Sequence, residues 1–294
     1  MNKKILLVGG SGYIGRHLKR ALTISNISVY TTGTQELTDP NHYLIDFNSP
    51  KTFNSLGKTQ FDIIILLASK IDSIKTKNLN HSDLESNVLG FSKFLHYLNE
   101  NRTTSKFVYI SSMTVYSHEN ESPVLETGSL APLHTYGLSK LLAENVFNFF
   151  CKTSSFSGVI FRLPGIYGGD REDGFIYNLI DKFISKEKIL LESKNLGFWE
   201  TIHVEDLMAM MIKFLEKYNW PTGIDVFNIS YGEETDFYAT AHKVSQIMNC
   251  EKLLETSREK NYTKLFISNK KISVFTSPPM SYWSRLDQYV KSFV

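Results

Sequence analysis

Cysteine is nearly absent from this 294-residue chain, and its two copies, Cys151 and Cys250, stand far apart with no histidine at ligand spacing beside them. Two such thiols make neither a disulfide framework nor a zinc site; they read as buried side chains, and no metal site is expected. An excess of one charge is also missing, since 32 basic and 30 acidic residues leave a net +2. Nothing therefore marks the chain for nucleic acid or an anionic membrane, and a small specific ligand is the expected partner. No apolar run approaches the ~18 residues that suggest a membrane span. The first one follows Lys3 and Lys4, ends at Val8 and runs straight into glycines. That is too short for the core of a signal peptide, so the expected location is cytoplasmic. Repeats, low-complexity tracts and charge blocks are lacking too, and Pro278-Pro279 marks a loop near the end rather than a linker. What remains is an ordinary globular composition, 42% hydrophobic and 21% charged, with 13% aromatic residues to fill a core and line a pocket.

Through the first half, short β-branched runs alternate with longer amphipathic stretches, as expected when strands of a parallel sheet are joined by crossover helices. Strands are predicted at Ile5 to Val8, Ser28 to Thr32, Tyr43 to Asp46, Asp62 to Leu67, Phe107 to Ile110 and Gly158 to Phe161. They are near-continuous in apolar residues because helices would cover both faces. Helices are predicted at Tyr13 to Thr23, Ser82 to Asn99 and Tyr136 to Phe150 from their helical period. After Gly168 the alternation becomes irregular, with helical stretches at Phe175 to Ser185, Glu205 to Lys217 and Phe237 to Met248. The expected division is a dinucleotide-binding domain over 1–165 and a smaller lobe over 166–294, some segments of which return to the first domain.

The first strand leads into Gly9-Gly10-Ser11-Gly12-Tyr13-Ile14-Gly15, with glycines at three-residue intervals where a strand turns into a helix. One glycine allows the tight turn, a second lets backbone N–H groups approach a pyrophosphate, and a third lets the helix pack closely on the sheet. The helix N-terminus then faces the anion. A carboxylate about twenty residues on would grip the 2′-hydroxyl of NAD. The second strand instead ends Tyr30-Thr31-Thr32-Gly33-Thr34, which removes a repulsion toward a 2′-phosphate and leans the cofactor to NADP over NAD. Asp46 is a candidate for hydrogen-bonding adenine, and Asp62 for capping a turn.

Tyr136-Gly-Leu-Ser-Lys140 puts a phenol and an ammonium one helical turn apart on one face. A cation near the phenol favours the tyrosinate, which would bring an acid/base closer to neutrality. Upstream, the apolar run from Phe107 ends in Ser111-Ser112-Met113-Thr114, a hydroxyl cluster at the carboxyl end of a strand, where open α/β sheets bind ligands.

On these residues the chain resembles the extended short-chain dehydrogenase/reductases, the nucleotide-sugar epimerases, dehydratases and reductases. Besides the glycine loop and Tyr136/Lys140, the likeness includes Asp62 to Ser69, Asn87 in Glu85-Ser-Asn-Val-Leu-Gly90, Arg162 to Gly168 and His203-Val-Glu-Asp206, and so covers nearly the whole length. It implies a Rossmann-type doubly wound parallel α/β sheet with a smaller C-terminal substrate lobe. It also implies catalytic roles for Tyr136 as proton donor and acceptor, Lys140 as its electrostatic partner, and Ser112, four residues before Tyr116, as ligand of the substrate oxygen. Cofactor contacts are implied at Gly9, Gly12, Tyr13, Ile14, Gly15, Thr32, Asp46, Phe47, Leu67, Ala68, Ser69, Asn87, Tyr136, Lys140 and Leu163. Substrate contacts are implied at Ser111, Ser112, Met113, Thr114, Arg162, Gly165, Arg171 and Trp199.

The chain departs from the family at two substrate positions. Trp199 stands where an arginine often reaches the diphosphate, seven residues before Asp206, and Gly165 stands where an asparagine is usual; Arg171 and Lys194 are the candidates to replace the lost charge. Met113-Thr114 also replaces the Asp-Glu pair with which the family's sugar 4,6-dehydratases eliminate water, leaving no acid or base for a β-elimination there. The leading expectation is reduction of a nucleotide-linked 4-keto-6-deoxy sugar. A 4-epimerase with retained NAD is the second, and a cofactor-sensing binding protein the third. The resemblance also implies a homodimer through Ser82 to Asn99 and Tyr136 to Phe150, with Phe91, Phe94, Leu95, Leu98, Leu141, Leu142, Val146 and Phe149 available either for that interface or for the core.

Overall fold

The computed structural model describes residues 3–24, 27–71, 81–101, 106–154, 156–192, 200–257 and 265–294. The chain runs β1 (Lys4–Val8), α1 (Tyr13–Ile24), β2 (Ser28–Gly33), β3 (His42–Leu44) and β4 (Ile63–Leu66). A helical stretch follows, made of α2 (His81–Leu84), a π turn (Glu85–Gly90) and α3 (Phe91–Asn101). Then come β5 (Lys106–Ser112), α4 (Thr135–Ser154), β6 (Ser157–Leu163), β7 (Gly165–Tyr167), α5 (Phe175–Ile184), β8 (Ile189–Glu192) and β9 (Thr201–His203). The last elements are α6 (Val204–Lys217), β10 (Gly223–Asn228), α7 (Phe237–Ile247), β11 (Leu254–Ser257) and α8 (Tyr282–Lys291).

Seven strands form one sheet in the order β10-β6-β5-β4-β1-β2-β3. The chain therefore builds outward from β1 to β3 and then returns to build the other way from β4. Parallel pairing sets Leu7 opposite both Thr31 and Ile65, and Ser111 opposite Arg162. The carboxyl ends of β1 and β4 flank the point where strand order reverses, the place where such sheets bind ligands.

Apolar residues on both faces hold this sheet. Ile5 to Val8 and Ile63 to Leu66 are all buried, and α1 turns Gly15, Leu18 and Leu22 inward at helical spacing. Phe91, Phe94, Leu95 and Leu98 of α3 join Phe107, Tyr109, Phe147 and Phe150 in one cluster, with Phe107 5.5 Å from Phe150 in an edge-to-face pair. Each such side chain contributes about 1.5–3 kcal/mol by burial. These four α3 residues thus belong to the core of their own chain, whereas Leu142 and Phe149 of α4 stay exposed.

Two compact units result, one of residues 1–117, 129–163 and 215–227, the other of 118–128, 164–214 and 228–294. Residues 118–128 belong to the second unit, and 215–227 return to the first, where β10 adds the edge strand that hydropathy alone did not reveal. The second unit holds two small parallel pairs, β7 with β9 and β8 with β11. Within it, buried Asp206 accepts from Arg285 Nε at 2.9 Å, Arg285 Nη2 at 2.5 Å and the Tyr231 hydroxyl at 2.6 Å, fastening α6 to α8. Gly168, at φ +89°, turns beside the His203 ring where a Cβ would not fit.

Candidate active site

The glycine loop is closely confined on three sides. Gly9 has φ +86°, and a Cβ there would come 2.7 Å from the Ala68 backbone beyond β4. A Cβ on Gly10 would lie 2.6 Å from the Thr31 side chain on β2, and one on Gly15 would lie 2.5 Å from the Gly10 Cα. Only glycine permits this convergence of β1, β2, α1 and the end of β4. The loop is pinned by the Gly9 N–H donating to Thr32 Oγ1 at 3.1 Å, and by the Leu67 and Ala68 N–H groups donating to the Val8 carbonyl at 2.9 and 2.8 Å. Tyr13 opens α1, so its positive end faces this cradle. Close by, Ser69 Oγ is buried beside the Tyr136 phenol. A glycine cradle, a helix N-terminus and a buried hydroxyl are the parts that would receive a dinucleotide, and the residues present fit one.

Tyr136 and Lys140 lie on the first turns of α4, which packs directly on the segment after β5. A Cβ at Gly137 would sit 2.5 Å from the Thr114 carbonyl oxygen, so the tyrosine's helix can reach Ser112 to Thr114 only with glycine there. Lys140 is buried; its Nζ donates to the Ile110 carbonyl at 2.8 Å and lies 5.0 Å from the Tyr109 ring centroid and 5.8 Å from that of Tyr136. Burial pulls the Lys140 ammonium down to about 7, and the Glu144 carboxylate works against that pull. Burial also pushes the Tyr136 phenol up to about 12, with a smaller downward influence from the nearby Ser69 hydroxyl and an upward one from Asp83. Desolvation is thus the dominant influence on this phenol in the chain by itself, and it keeps its proton at neutral pH. Ser112 Oγ, at the end of β5, accepts from the Thr114 hydroxyl at 3.0 Å and the Thr114 N–H at 3.3 Å, leaving its own O–H as donor.

Beneath this group lies a buried ion pair that sequence reading missed. Glu144, one turn beyond Lys140, accepts from Arg162 Nε at 3.0 Å and Nη2 at 2.7 Å, and from Ser111 Oγ at 2.5 Å. Arg162 Nη1 also donates to the Tyr116 hydroxyl at 3.0 Å. Ser111 and Arg162, expected among the substrate ligands, are instead buried and engaged with Glu144, because a buried carboxylate needs its charge and lone pairs answered. The spacing of Lys140 and Glu144 on one helical face was the available signal. The Ile110 carbonyl, a backbone atom, left none.

Asn87 is likewise engaged by protein. Its Oδ1 accepts from the Lys70 N–H at 2.7 Å, while its Nδ2 donates to the Lys70 carbonyl at 2.8 Å and to Ser139 Oγ at 3.0 Å. Ser139 in turn donates to the Tyr136 carbonyl at 2.8 Å, so Asn87 ties the loop after β4 to the turn that carries Tyr136. The π turn carries Asn87 there, and Gly90 lets Phe47 approach, its carbonyl oxygen 2.6 Å from where a Cβ would be. Asp46 lies beyond β3, not on it; its Oδ1 accepts from the Asn48 N–H at 2.9 Å. Asp62 Oδ2 accepts from the Lys4 N–H at 2.7 Å, a bond to the start of β1 rather than within a turn.

Phe47, Met113 and Leu163 are buried, while Leu67, Ala68 and Thr114 are partly exposed. In the second unit, the Gly165 N–H donates to the Glu200 carbonyl at 2.9 Å, and Arg171 Nη1 donates to the Ile166 carbonyl at 3.0 Å. Trp199 and Lys194 lie outside the described residues. Among the described residues no cluster could hold a metal ion, and no helix is long and apolar enough to cross a membrane.

A dinucleotide cradle at the switch point of a parallel sheet, beside a Tyr–Lys pair on the following helix, defines an NAD(P)-dependent enzyme of the short-chain dehydrogenase/reductase type. The chain belongs to the NAD dependent epimerase/dehydratase family, whose model matches residues 5–230. It is 26% identical over 247 residues to the dTDP-4-dehydro-6-deoxyglucose reductase of Escherichia coli, covering 78% of this chain and 77% of that protein. It is also 24% identical over 265 residues to the UDP-glucose 4-epimerase of Bacillus subtilis (strain 168), covering 78% and 77%. The dTDP-glucose 4,6-dehydratase of Bacillus anthracis, solved in complex with NAD, shares the fold with a TM-score of 0.82 at 18% identity, over 98% of this chain and 96% of that one.

Proposed function

We propose that the chain is a nucleotide-sugar reductase acting on a 4-keto-6-deoxyhexose, with NADP(H) ahead of NAD(H). The observation that carries this reading is that β2 ends in Thr31-Thr32-Gly33-Thr34, with no carboxylate for a ribose 2′-hydroxyl, which leans the cofactor to NADP(H) and so to a net reduction. Tyr136 holds a proton at neutral pH, as a proton donor in that direction must. A nicotinamide dinucleotide held by the glycine loop would supply the hydride for the carbonyl carbon. Tyr136 protonates the oxygen that becomes the hydroxyl, Ser112 donates a hydrogen bond to that same oxygen, and Lys140 supports the phenol. Met113-Thr114 offers no carboxylate for elimination, and the end of β2 offers none for a ribose 2′-hydroxyl. Both reductases and 4-epimerases stand among the relatives, so the direction rests on the site itself.

The reading extends to a homodimer. Leu142 and Phe149 are 38% and 70% exposed, with Leu138 and Val146 half-buried beside them, along one stripe of α4. Ser111, Arg162 and Asn87 serve as supports of the site in this proposal, while Gly165, Arg171 and Trp199 remain candidate substrate contacts.

The deciding experiment mixes purified protein, NADPH and a dTDP-linked 4-keto-6-deoxy sugar. Loss of NADPH in one-to-one proportion with the hydroxy product supports the reductase. Interconversion of two nucleotide sugars without net cofactor turnover replaces it with an epimerase. Absence of hydride transfer together with dinucleotide-dependent association with another protein makes the chain a cofactor sensor.

A further inference from the structure

β5 ends at Ser112, where the chain bends into a short 3₁₀ turn, Met113–Val115. Ser112 caps that turn: its backbone is still extended, at φ −141° and ψ 150°, while its Oγ reaches forward to accept from the Thr114 N–H at 3.3 Å. The Thr114 hydroxyl donates to the same oxygen at 3.0 Å. A hydroxyl oxygen has two lone pairs and one hydrogen, so two donors from one residue occupy its whole accepting capacity. The Ser112 O–H is then left to donate, and only away from Thr114.

Thr114 is itself held in place. Met113 and Val115 on either side of it are buried, and the Tyr116 N–H donates to the Met113 carbonyl at 3.1 Å. The Thr114 carbonyl oxygen lies 2.5 Å from where a Cβ on Gly137 would stand, against the turn of α4 that carries Tyr136. A β-branched side chain has few χ1 settings open to it, so a fixed backbone leaves the Thr114 hydroxyl little freedom to turn away. A serine hydroxyl without such partners rotates among staggered positions, and fixing one of them offsets part of the gain from the hydrogen bond it makes.

We propose that Thr114 is a positioning residue: its two donors hold Ser112 Oγ so that the Ser112 O–H is aimed at the reacting oxygen of the substrate before the substrate arrives. The proposal rests on the reading of Ser112 as the ligand of that oxygen, and it holds for a reductase and an epimerase alike. As hydride adds to the carbonyl carbon, the oxygen gains negative charge until Tyr136 protonates it; Ser112 keeps its own proton throughout. A donor aimed in advance stabilises that charge more than it stabilises the neutral carbonyl, so the effect belongs to kcat rather than to KM. In the sequence Ser112 and Thr114 read as one hydroxyl cluster, both facing substrate. The 3₁₀ turn divides the work, and Thr114 acts through Ser112.

The test is a double-variant cycle on the intact protein, followed by steady-state kinetics with NADPH and a dTDP-linked 4-keto-6-deoxy sugar. Thr114→Val, close in shape but without the hydroxyl, should lower kcat about tenfold, the order of one neutral hydrogen bond, with KM and NADPH affinity within about twofold. Thr114→Ala should do the same, and Thr114→Ser, which keeps the donor, should recover kcat to within about threefold. Ser112→Ala combined with Thr114→Val should be no slower than Ser112→Ala alone, because a residue that acts through Ser112 then has nothing to act on. A double variant slower than Ser112→Ala by a further factor of about ten overturns the proposal, since Thr114 would then touch the substrate directly. An unchanged kcat in Thr114→Val overturns it too; if Ser112→Ala is slow in the same assay, Ser112 keeps its role and only the positioning falls. A Ser112→Ala variant as fast as the unmodified protein removes the reading of Ser112 along with this one. Absence of hydride transfer by the unmodified protein removes the proposed function and the positioning role together.

Discussion

Lys140 Nζ donates to the Ile110 carbonyl at 2.8 Å, so the lysine of α4 is fastened to the strand that ends at Ser112. The bond is local, but it sets the depth at which the ammonium sits: beneath Tyr136, over Tyr109 and out of water. Depth explains why the folded chain holds this lysine at about 7 instead of 10.5, burial acting first and Glu144 opposing it.

A pH-dependent stability follows, and its sign is fixed. Between about pH 7 and 10.5 the folded chain has released a proton that the unfolded chain still binds, so this group's contribution rises with pH. It is complete above 10.5 and is lost as pH falls toward 7. Relative to Lys140→Met, the unmodified protein should gain stability between pH 7 and 9 by at most about 1.4 kcal/mol per pH unit. Urea denaturation of both proteins at three pH values measures this, and a difference that stays constant with pH contradicts it.

Replacing Tyr136 by Phe removes the transferable proton and little else. The ring keeps its place at the start of α4, so kcat should fall by about 10²- to 10⁴-fold while dinucleotide affinity changes by less than about threefold. Steady-state kinetics beside a calorimetric titration separate the two. An unchanged kcat would mean that another group protonates the substrate.

How much of this was legible beforehand differs between backbone and side chains. The β1 to α1 turn, the parallel strands and the Tyr136/Lys140 spacing could be read because each imposes a residue pattern: glycines where Cβ atoms collide, apolar runs where both faces are covered, and a four-residue interval on a helix. That Ser111 and Arg162 hold Glu144 was not legible, because their letters do not reveal direction. Side chains alternate along a strand, and these two, paired across β5 and β6, turn toward Glu144. The Asn87 bonds to Lys70 were equally hidden, because nothing in its neighbours shows that the loop after β4 would claim both ends of its amide. The proton-donor role of Tyr136 could be read from its spacing, but the weight of desolvation there could not, because burial determines it.

Arg162 and Glu144 make a second measurable case. Truncating one partner strands a buried charge, so Arg162→Met should destabilise the fold by about 3–5 kcal/mol. Adding Glu144→Leu to that variant removes the stranded carboxylate and should restore a large part of the loss. Chemical denaturation of the two variants checks this directly. A double variant no more stable than the single one would show that packing, not charge, is what the pair contributes.

The exposed stripe of α4 yields the last prediction. Phe149 at 70% exposure is a large apolar side chain in water, and Leu142 lies two turns before it on the same face. On the opposite face of α4, Phe147, Phe150 and Cys151 are already buried in the first unit's core, so the two exposed side chains are not needed to fold the chain. If a second copy covers them, the protein at micromolar concentration should sediment at twice its 33.7 kDa mass. Phe149→Asp should then return it to the monomer without lowering the helical content seen by circular dichroism. Charge there would be expelled from a helix-to-helix interface at a cost of several kcal/mol, more than most such contacts tolerate. A monomeric unmodified protein, or a Phe149→Asp variant that still sediments as a dimer, would show that this face of α4 is not where two copies meet.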